Sequence, residues 1–372
     1  MEIKSFLLGE VFEFLPKSKH KAGDGLKVGK YPFFTSSQQQ SKWFNEVDYE
    51  QEAIVLGTGG VPSVHCAKNF STSTDVFVMS PSRKEISTKY VYYFFLCRID
   101  ILEKGFKGAG LKHLSREYTK KIWIPFPADK DGNPDLAEQK RIVTILEEAE
   151  GLNKKRVEVD KKMGNVVPAL FSKLFENRGW KNFPISDIAE VKIGPFGTQL
   201  HAKDYIENGI PLINPTHIVE GRIKTNNRLT ISIEKVKALP QYVVRTGDVV
   251  LGRRGEMGRC AVVTEIEDGY ICGTGSLFLS PKTNKINPAY LQKVLSSKSI
   301  KKVLEENAKG ITMKNLNIPI VNEVKIPLPP LALQNQFAEV VKAIEMQEVK
   351  QKQSAEKIDL LFQALLSRYF SI

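Results

Sequence analysis

Apolar residues recur at three- and four-residue steps through residues 136–177, at Leu136, Ile142, Ile145, Leu146, Ala149, Leu152, Val159, Met163, Val166, Leu170 and Leu174, with Lys, Arg, Glu and Asp between them. That spacing lays the apolar positions along one face and predicts one long amphipathic helix. Residues 331–370 repeat it in Leu331, Phe337, Val340, Val341, Ile344, Ile358, Leu361, Leu365 and Tyr369. The two stretches superimpose without a gap at an offset of 331 − 136 = 195, which sets Leu136 on Leu331, Gln139 on Gln334, Leu170 on Leu365 and Phe175 on Phe370. The chain is therefore a tandem duplication, each half ending in a long helix. Pro168 lacks an amide donor and predicts a kink or short break in the first helix, whereas its counterpart Gln363 predicts a straighter second one.

Before each helix the pattern changes. Residues 1–123 alternate short apolar runs with Gly, Ser, Thr and Asn turns; AIVLGTGG at 53–60 and DVFVMSP at 75–81 predict strands, and KYVYYFFLCRIDIL at 89–102 predicts a helix. Residues 181–325 repeat this pattern at drifting offsets: Glu10-Val11 falls on Glu190-Val191, Leu56-Gly57 on Leu251-Gly252, Tyr90 on Tyr290, Lys112 on Lys314 and Leu114 on Leu316. IPFP at 124–127 matches IPLP at 326–329. The order is domain (1–123), helix with its lead-in loop (124–180), domain (181–325), helix (326–372). The expected fold is α+β: two domains joined by two long antiparallel helices in a coiled-coil-like spacer, related by a pseudo-twofold axis. About 40 residues at roughly 1.5 Å rise make a rod of about 60 Å. That length can hold two readers about one turn of B-DNA apart, roughly 34 Å. The stretch EMQEVKQKQSAEK at 345–357 is too polar for a tight two-helix seam and is expected to face water or partner helices.

Charge points to the partner. With 54 Lys and Arg against 42 Asp and Glu the formal charge is +12, which suits a polyanion. In LGRRGEMGRCAVV at 251–263, Arg253, Arg254 and Arg259 stand among glycines, so the backbone can approach a ligand closely while guanidinium forks reach phosphate or a guanine edge. The matching first-half segment has no arginine but holds Thr58, Gly59, Gly60, Ser63, His65 and Lys68. A second repeated pair, GFKGAGLKHLS at 105–115 and AKGITMKNLN at 308–317, supplies Lys107, Lys112, His113, Lys309, Thr312, Lys314 and Asn315 as backbone or base contacts. The polar run at 215–229 adds His217, Arg222, Lys224, Asn226, Asn227 and Arg228. Each of these runs also has a bland reading, as a basic turn, a helix cap or a solvated charge run.

Other chemistries find no footing. Cys66, Cys97, Cys260 and Cys272 form no CxxC pair, so no metal site is expected, and four dispersed thiols suit a reducing cytosol. No run approaches the roughly 18 apolar residues of a membrane helix, and the start of the chain does not read as a secretion signal; a cytoplasmic location is expected. INPAY at 286–290 lacks the second proline of the Asn-Pro-Pro-Tyr box of amino-methyltransferases, and no strand–GxGxxG–helix segment for S-adenosylmethionine accompanies it. GFKGAGLK lacks the Lys-Ser/Thr ending of a P-loop. No catalytic residues are expected. A fused or degenerate methyltransferase and a non-enzymatic coiled-coil adaptor are the rival readings.

Two domains, each followed by a helix introduced by I-P-x-P and L-x-x-Q, resemble the specificity subunit of type I restriction-modification systems. The resemblance rests on IPFP with LAEQKRIVTIL, on IPLPPLALQNQFAEVV and on GDVVLGRRGEMGRCAVV, and spans essentially the whole chain; Leu333 departs from the usual pattern where Glu138 stands in the first copy. It implies two target recognition domains on double-stranded DNA, each reading half of a bipartite, asymmetric site, with the helices setting the unread spacer. It also implies two methylation subunits docked on this chain, with restriction subunits joining them. S-adenosylmethionine, ATP and Mg would then sit on those partners, with no cofactor in this chain.

Overall fold

The computed structural model describes residues 2–108, 110, 112–176, 178–196, 199–226, 228–308 and 315–370. It divides into two compact units, residues 1–159 with 351–372 and residues 160–350.

In the first unit a four-stranded antiparallel sheet runs in the order Phe12–Phe14, Val76–Pro81, Ala53–Gly57, Val64–Ala67. Its middle strand Ala53–Gly57 is buried at every position, as a strand covered on both faces must be. The two-residue alternation sorts its side chains: Ile54 and Leu56 enter a core with Leu8, Tyr90 and Phe94, whereas Ala53 and Val55 pack with Phe34, Tyr49 and Phe70. A smaller sheet orders Lys42–Phe44, Tyr31–Phe34 and Ser71–Thr72, its last pair parallel. Trp123–Pro127 pairs in register with Ile3–Leu7, so the Ile-Pro-Phe-Pro segment is a strand of the first domain, which extends through Pro127.

The second unit repeats the plan. Its main sheet runs Ala189–Ile193, Ser276–Pro281, Val249–Gly252, Cys260–Val262. Val249 and Leu251 face one core and Val250 and Ala261 another. Ile210–Ile213 pairs in parallel with Ile271–Cys272, as Tyr31–Phe34 does with Ser71–Thr72. Asn182–Pro184 pairs with Lys325–Pro327 as Ile3–Leu7 does with Trp123–Pro127.

The two long helices are Leu136–Phe175 and Leu331–Phe370, 40 residues each. Asp135 caps the first, its Oδ1 accepting the N–H groups of Ala137 and Glu138 at 2.9 and 3.1 Å. Of the kink or short break expected at Pro168, no break occurs: the first helix continues through it. Each helix contributes to both units. In the first unit Ile142 and Leu146 share a core with Leu366 and Phe370, and Asn153 Nδ2 donates to Asp359 Oδ1 at 2.6 Å, so the helices there run antiparallel. In the second, Phe171 and Phe175 share a core with Phe337 and Val341. The apolar stripe expected from periodicity is only partly used: Leu152, Val159, Val166, Val340 and Leu361 are exposed, and no residue of 345–357 is buried. Helix 89–102 is also two helices, Thr88–Cys97 and Ile99–Glu103, separated at Arg98. No helix among the described residues is long and apolar enough to cross a membrane.

The aligned glutamines prove to be a duplicated device. Gln139 is fully buried; its Oε1 accepts the Ser87 N–H at 2.9 Å and its Nε2 donates to the Glu85 carbonyl at 2.9 Å. Gln334, equally buried, accepts the Asn287 N–H at 2.9 Å and donates to the carbonyls of Pro329 at 2.8 Å and Lys285 at 3.3 Å. Each ties the start of a long helix to the N-terminus of the short helix packed beside it. Replacement by leucine strands buried backbone groups at about 1–3 kcal/mol each. Gln139→Leu and Gln334→Leu are therefore each expected to destabilise their own unit by roughly 2–3 kcal/mol, measured by denaturant unfolding.

Candidate DNA-reading loops

The loops singled out from sequence leave the same point of the two duplicated sheets. In the first unit Ala53–Gly57 ends at Gly57, where a Cβ would lie 2.2 Å from Ser63 Oγ. Ser36 then fastens the turn: its Oγ accepts the N–H groups of Thr58 and Gly59 at 3.1 and 3.2 Å and donates to the Asp75 carbonyl at 2.5 Å. Thr58 is itself buried, with Oγ1 donating to Asp75 O at 2.7 Å, so it positions the tip rather than presenting a hydroxyl to a ligand. Its carbonyl accepts the Leu114 N–H at 2.9 Å, and Gly59 bridges His113. His113 lies opposite Lys107 across the short hairpin of Phe106–Lys107 and His113–Leu114. Gly59, Lys107, Lys112 and His113 thus fall together, the last three exposed. Lys68 does not join them. It follows Val64–Ala67, whose far end pairs with Ala53 while Val64 pairs with Leu56, and so lies on the order of 20 Å along the strand from Thr58.

In the second unit Arg253 takes the place of Thr58. Its N–H donates to the Gly275 carbonyl and its own carbonyl accepts the Leu316 N–H, both at 3.0 Å, matching the Thr58–Asp75 and Thr58–Leu114 bonds. The residue is 6% exposed and its Nε donates to Asn315 Oδ1 at 2.8 Å. Burial, and then the charge of Arg254, lower its pKa. The outward fork expected of Arg253 is an inward brace. Arg254, in Gly59's place, is exposed at the tip. Gly255 and Gly258 follow with φ of 77° and 76°, left-handed backbone that suits glycine. Arg259 turns back: Nη2 pairs with Glu256 Oε2 at 2.7 Å and Nη1 donates to Pro215 O at 3.3 Å. Lys309, Thr312 and Lys314 lie outside the described residues, as does Asn227; the chain that follows them is anchored to Arg253 through Asn315 and Leu316.

Of the run at 215–229, His217 is buried, its Nδ1 within 2.7 Å of the Leu212 carbonyl oxygen, and Arg222 pairs with Glu348 at 3.2 Å. Lys224 and Arg228 are exposed. Sequence reasoning missed Ser36 and Asp75, whose partners lie 22 and 17 residues away from them at Thr58 and leave no local pattern. It also missed Glu256, although a carboxylate three residues before Arg259 is a readable pairing distance.

Known proteins place this arrangement. Residues 1–159 and 177–358 match the family described as type I restriction modification DNA specificity domain. The type I restriction enzyme MjaVIII specificity subunit of Methanocaldococcus jannaschii is 24% identical over 327 residues, 82% of this chain and 75% of that protein. The EcoBI specificity subunit of Escherichia coli is 26% identical over 171 residues, 45% of this chain and 36% of its own length. Among solved structures, the S subunit of a type I restriction-modification system from M. genitalium aligns with a TM-score of 0.66 at 17% identity, covering 98% of this chain and 95% of that one. A chain from a study of type I system assembly and conformational transition aligns at 0.60 and 16% identity, covering 99% and 97%.

Proposed function

The chain belongs to the type I restriction-modification DNA specificity family, and from that premise we propose that its two domains each read one half of a bipartite, asymmetric DNA target. Conferring DNA sequence specificity in a restriction-modification complex is the role the family and its relatives support. The observation that carries the two-reader form is the duplicated loop. The same sheet position and the same backbone bonds carry Thr58-Gly59 beside Lys107 and His113 in one unit, and Arg253-Arg254 beside Asn315 in the other. One scaffold with two sets of tip residues is what reading two different base sequences requires. The contact residues in this reading are Gly59, Lys107, Lys112, His113, Arg254, Lys309, Thr312 and Lys314, with Lys68 on phosphate further along. Thr58 and Arg253 position the tips.

The chain is non-catalytic in this reading. Methyl transfer with S-adenosylmethionine and ATP- and Mg-dependent cleavage belong to partners: two methylation subunits docked on the helices and domains, and restriction subunits that join through them. The lengths of the two helices set the unread spacer, and the complex works in the cytoplasm.

Lysine and arginine on phosphate make affinity fall linearly with log salt. The full chain co-purified with its methylation subunits is expected to bind one asymmetric bipartite sequence with a steep salt slope, and mapped methylated adenines in cells carrying the system should fall in that sequence. Methyl transfer to DNA by the chain alone would favour the methyltransferase reading. Binding indifferent to salt and sequence would favour an adaptor.

A further inference from the structure

Beside the Arg254 tip the second unit holds a cavity of about 500 Å³, lined among others by Glu256, Gly258, Arg259, Lys293 and Lys301. Its charged lining is three cations, Arg259, Lys293 and Lys301, against two carboxylates, Glu220 and Glu256. Glu256 bridges two of the cations: Oε2 lies 2.7 Å from Arg259 Nη2 and Oε1 lies 3.2 Å from Lys301 Nζ. The bridge is built into the backbone. Gly258 has φ 76°, and a Cβ there would sit 2.4 Å from Lys301 Cγ and 2.9 Å from the Leu295 carbonyl oxygen. Only a residue without a side chain lets the lysine stem cross the loop and deliver its ammonium to Glu256. The Pro215 carbonyl, accepting from Arg259 Nη1 at 3.3 Å, aims the guanidinium at the same point.

We propose that Glu256 stands in for a DNA backbone phosphate: in the free chain its carboxylate occupies the Arg259–Lys301 pair, and a phosphate beside the Arg254 tip displaces it. Two oxygens spread between a guanidinium and an ammonium are what a phosphate offers that pair, with stronger charge-assisted bonds. The side chain of Glu256 is 54% exposed, so the ion pairs contribute little net free energy in water and yield to a polyanion. Arg259, and then Lys301, hold the Glu256 carboxyl below the usual carboxylate range, so it is ionised at neutral pH. Arg259 and Lys301 are then phosphate ligands held in reserve, and Glu256 sets the threshold for engaging them. The inference rests on the DNA-reading function proposed above.

The test is Glu256→Gln in the full chain with its methylation subunits, titrated with a duplex carrying the mapped target and with a scrambled duplex. Glutamine keeps the shape and removes the charge. The variant is expected to bind both duplexes about 3–10-fold tighter at low salt, with a salt slope steeper by about one, because no protein charge has to be released first. The gain should be equal on both, since a phosphate carries no base identity, and adding Arg259→Gln and Lys301→Gln should abolish it. Unchanged or weaker binding by Glu256→Gln, or a gain confined to the target, overturns the proposal. Should Glu256→Gln lower the melting temperature, Lys301→Gln decides: a shallower salt slope upholds the site and an unchanged slope removes it. Failure of the wild-type complex to prefer the target would instead overturn the DNA-reading function itself.

Discussion

Arg253→Ala is expected to erase recognition of one half of the DNA target while the other half stays readable. The side chain braces the loop from inside: its Nε holds Asn315 Oδ1 at 2.8 Å, while the backbone carbonyl holds the Leu316 N–H at 3.0 Å. Truncation leaves the Asn315 oxygen without its donor, a loss of about 1–3 kcal/mol, and removes the side-chain tie to the chain that follows Lys314, leaving the backbone bond to Leu316. Arg254→Ala should behave differently. That side chain is exposed, so stability should stay within about 0.5 kcal/mol, while loss of a base-edge or phosphate fork should weaken target binding by about 1–3 kcal/mol. Melting temperatures and methylation maps of the two variants separate these roles. An Arg253→Ala protein that melts like wild type and still reads both halves would rule out the brace.

Phe337→Ala should be the most damaging single change to the second unit. The ring is fully buried, 5.8 Å from Phe171 and 5.2 Å from Phe175, both on the other long helix. Phe370 holds a comparable place in the first unit, 5.0 Å from Tyr90 and 6.1 Å from Phe94. Emptying such a site costs about 3–5 kcal/mol, a transfer loss plus an unrelaxed cavity. Phe337→Ala is expected to strip hydrogen-exchange protection from residues 160–350, and Phe370→Ala from residues 2–159. Equal loss across the whole chain from either substitution would show that the two units unfold as one.

Much of this was readable from one dimension. Period-3.6 patterning located the second helix at Leu331–Phe370, and short apolar runs closed by turns located Ala53–Gly57 and Val76–Pro81. Sequence alignment of the halves put Leu56-Gly57 on Leu251-Gly252, and the structure pairs those strands alike, Gly57 with Val76 and Gly252 with Ser276. What failed was the direction of side chains. Arg253 looked like an exposed fork because it is basic and flanked by glycine, yet Asn315, 62 positions away, draws it inward. His217 looked like a contact in a polar run, yet the Leu212 carbonyl holds it in the core. Leu152 and Leu361 looked like seam residues and are exposed, because periodicity marks a helical face without saying whether anything covers it.

The sequence by itself determined the duplication, the two long helices and the strand-and-turn makeup of both domains, because these follow from patterns within a few residues or from comparing one half with the other. Only the tertiary structure decided which arginine braces and which one reaches out, that Gln139 and Gln334 are buried ties, and that Glu256 sits on Arg259 and Lys301. Those outcomes depend on partners brought together across tens of residues, where desolvation, and not local pattern, selects the side chain that turns inward.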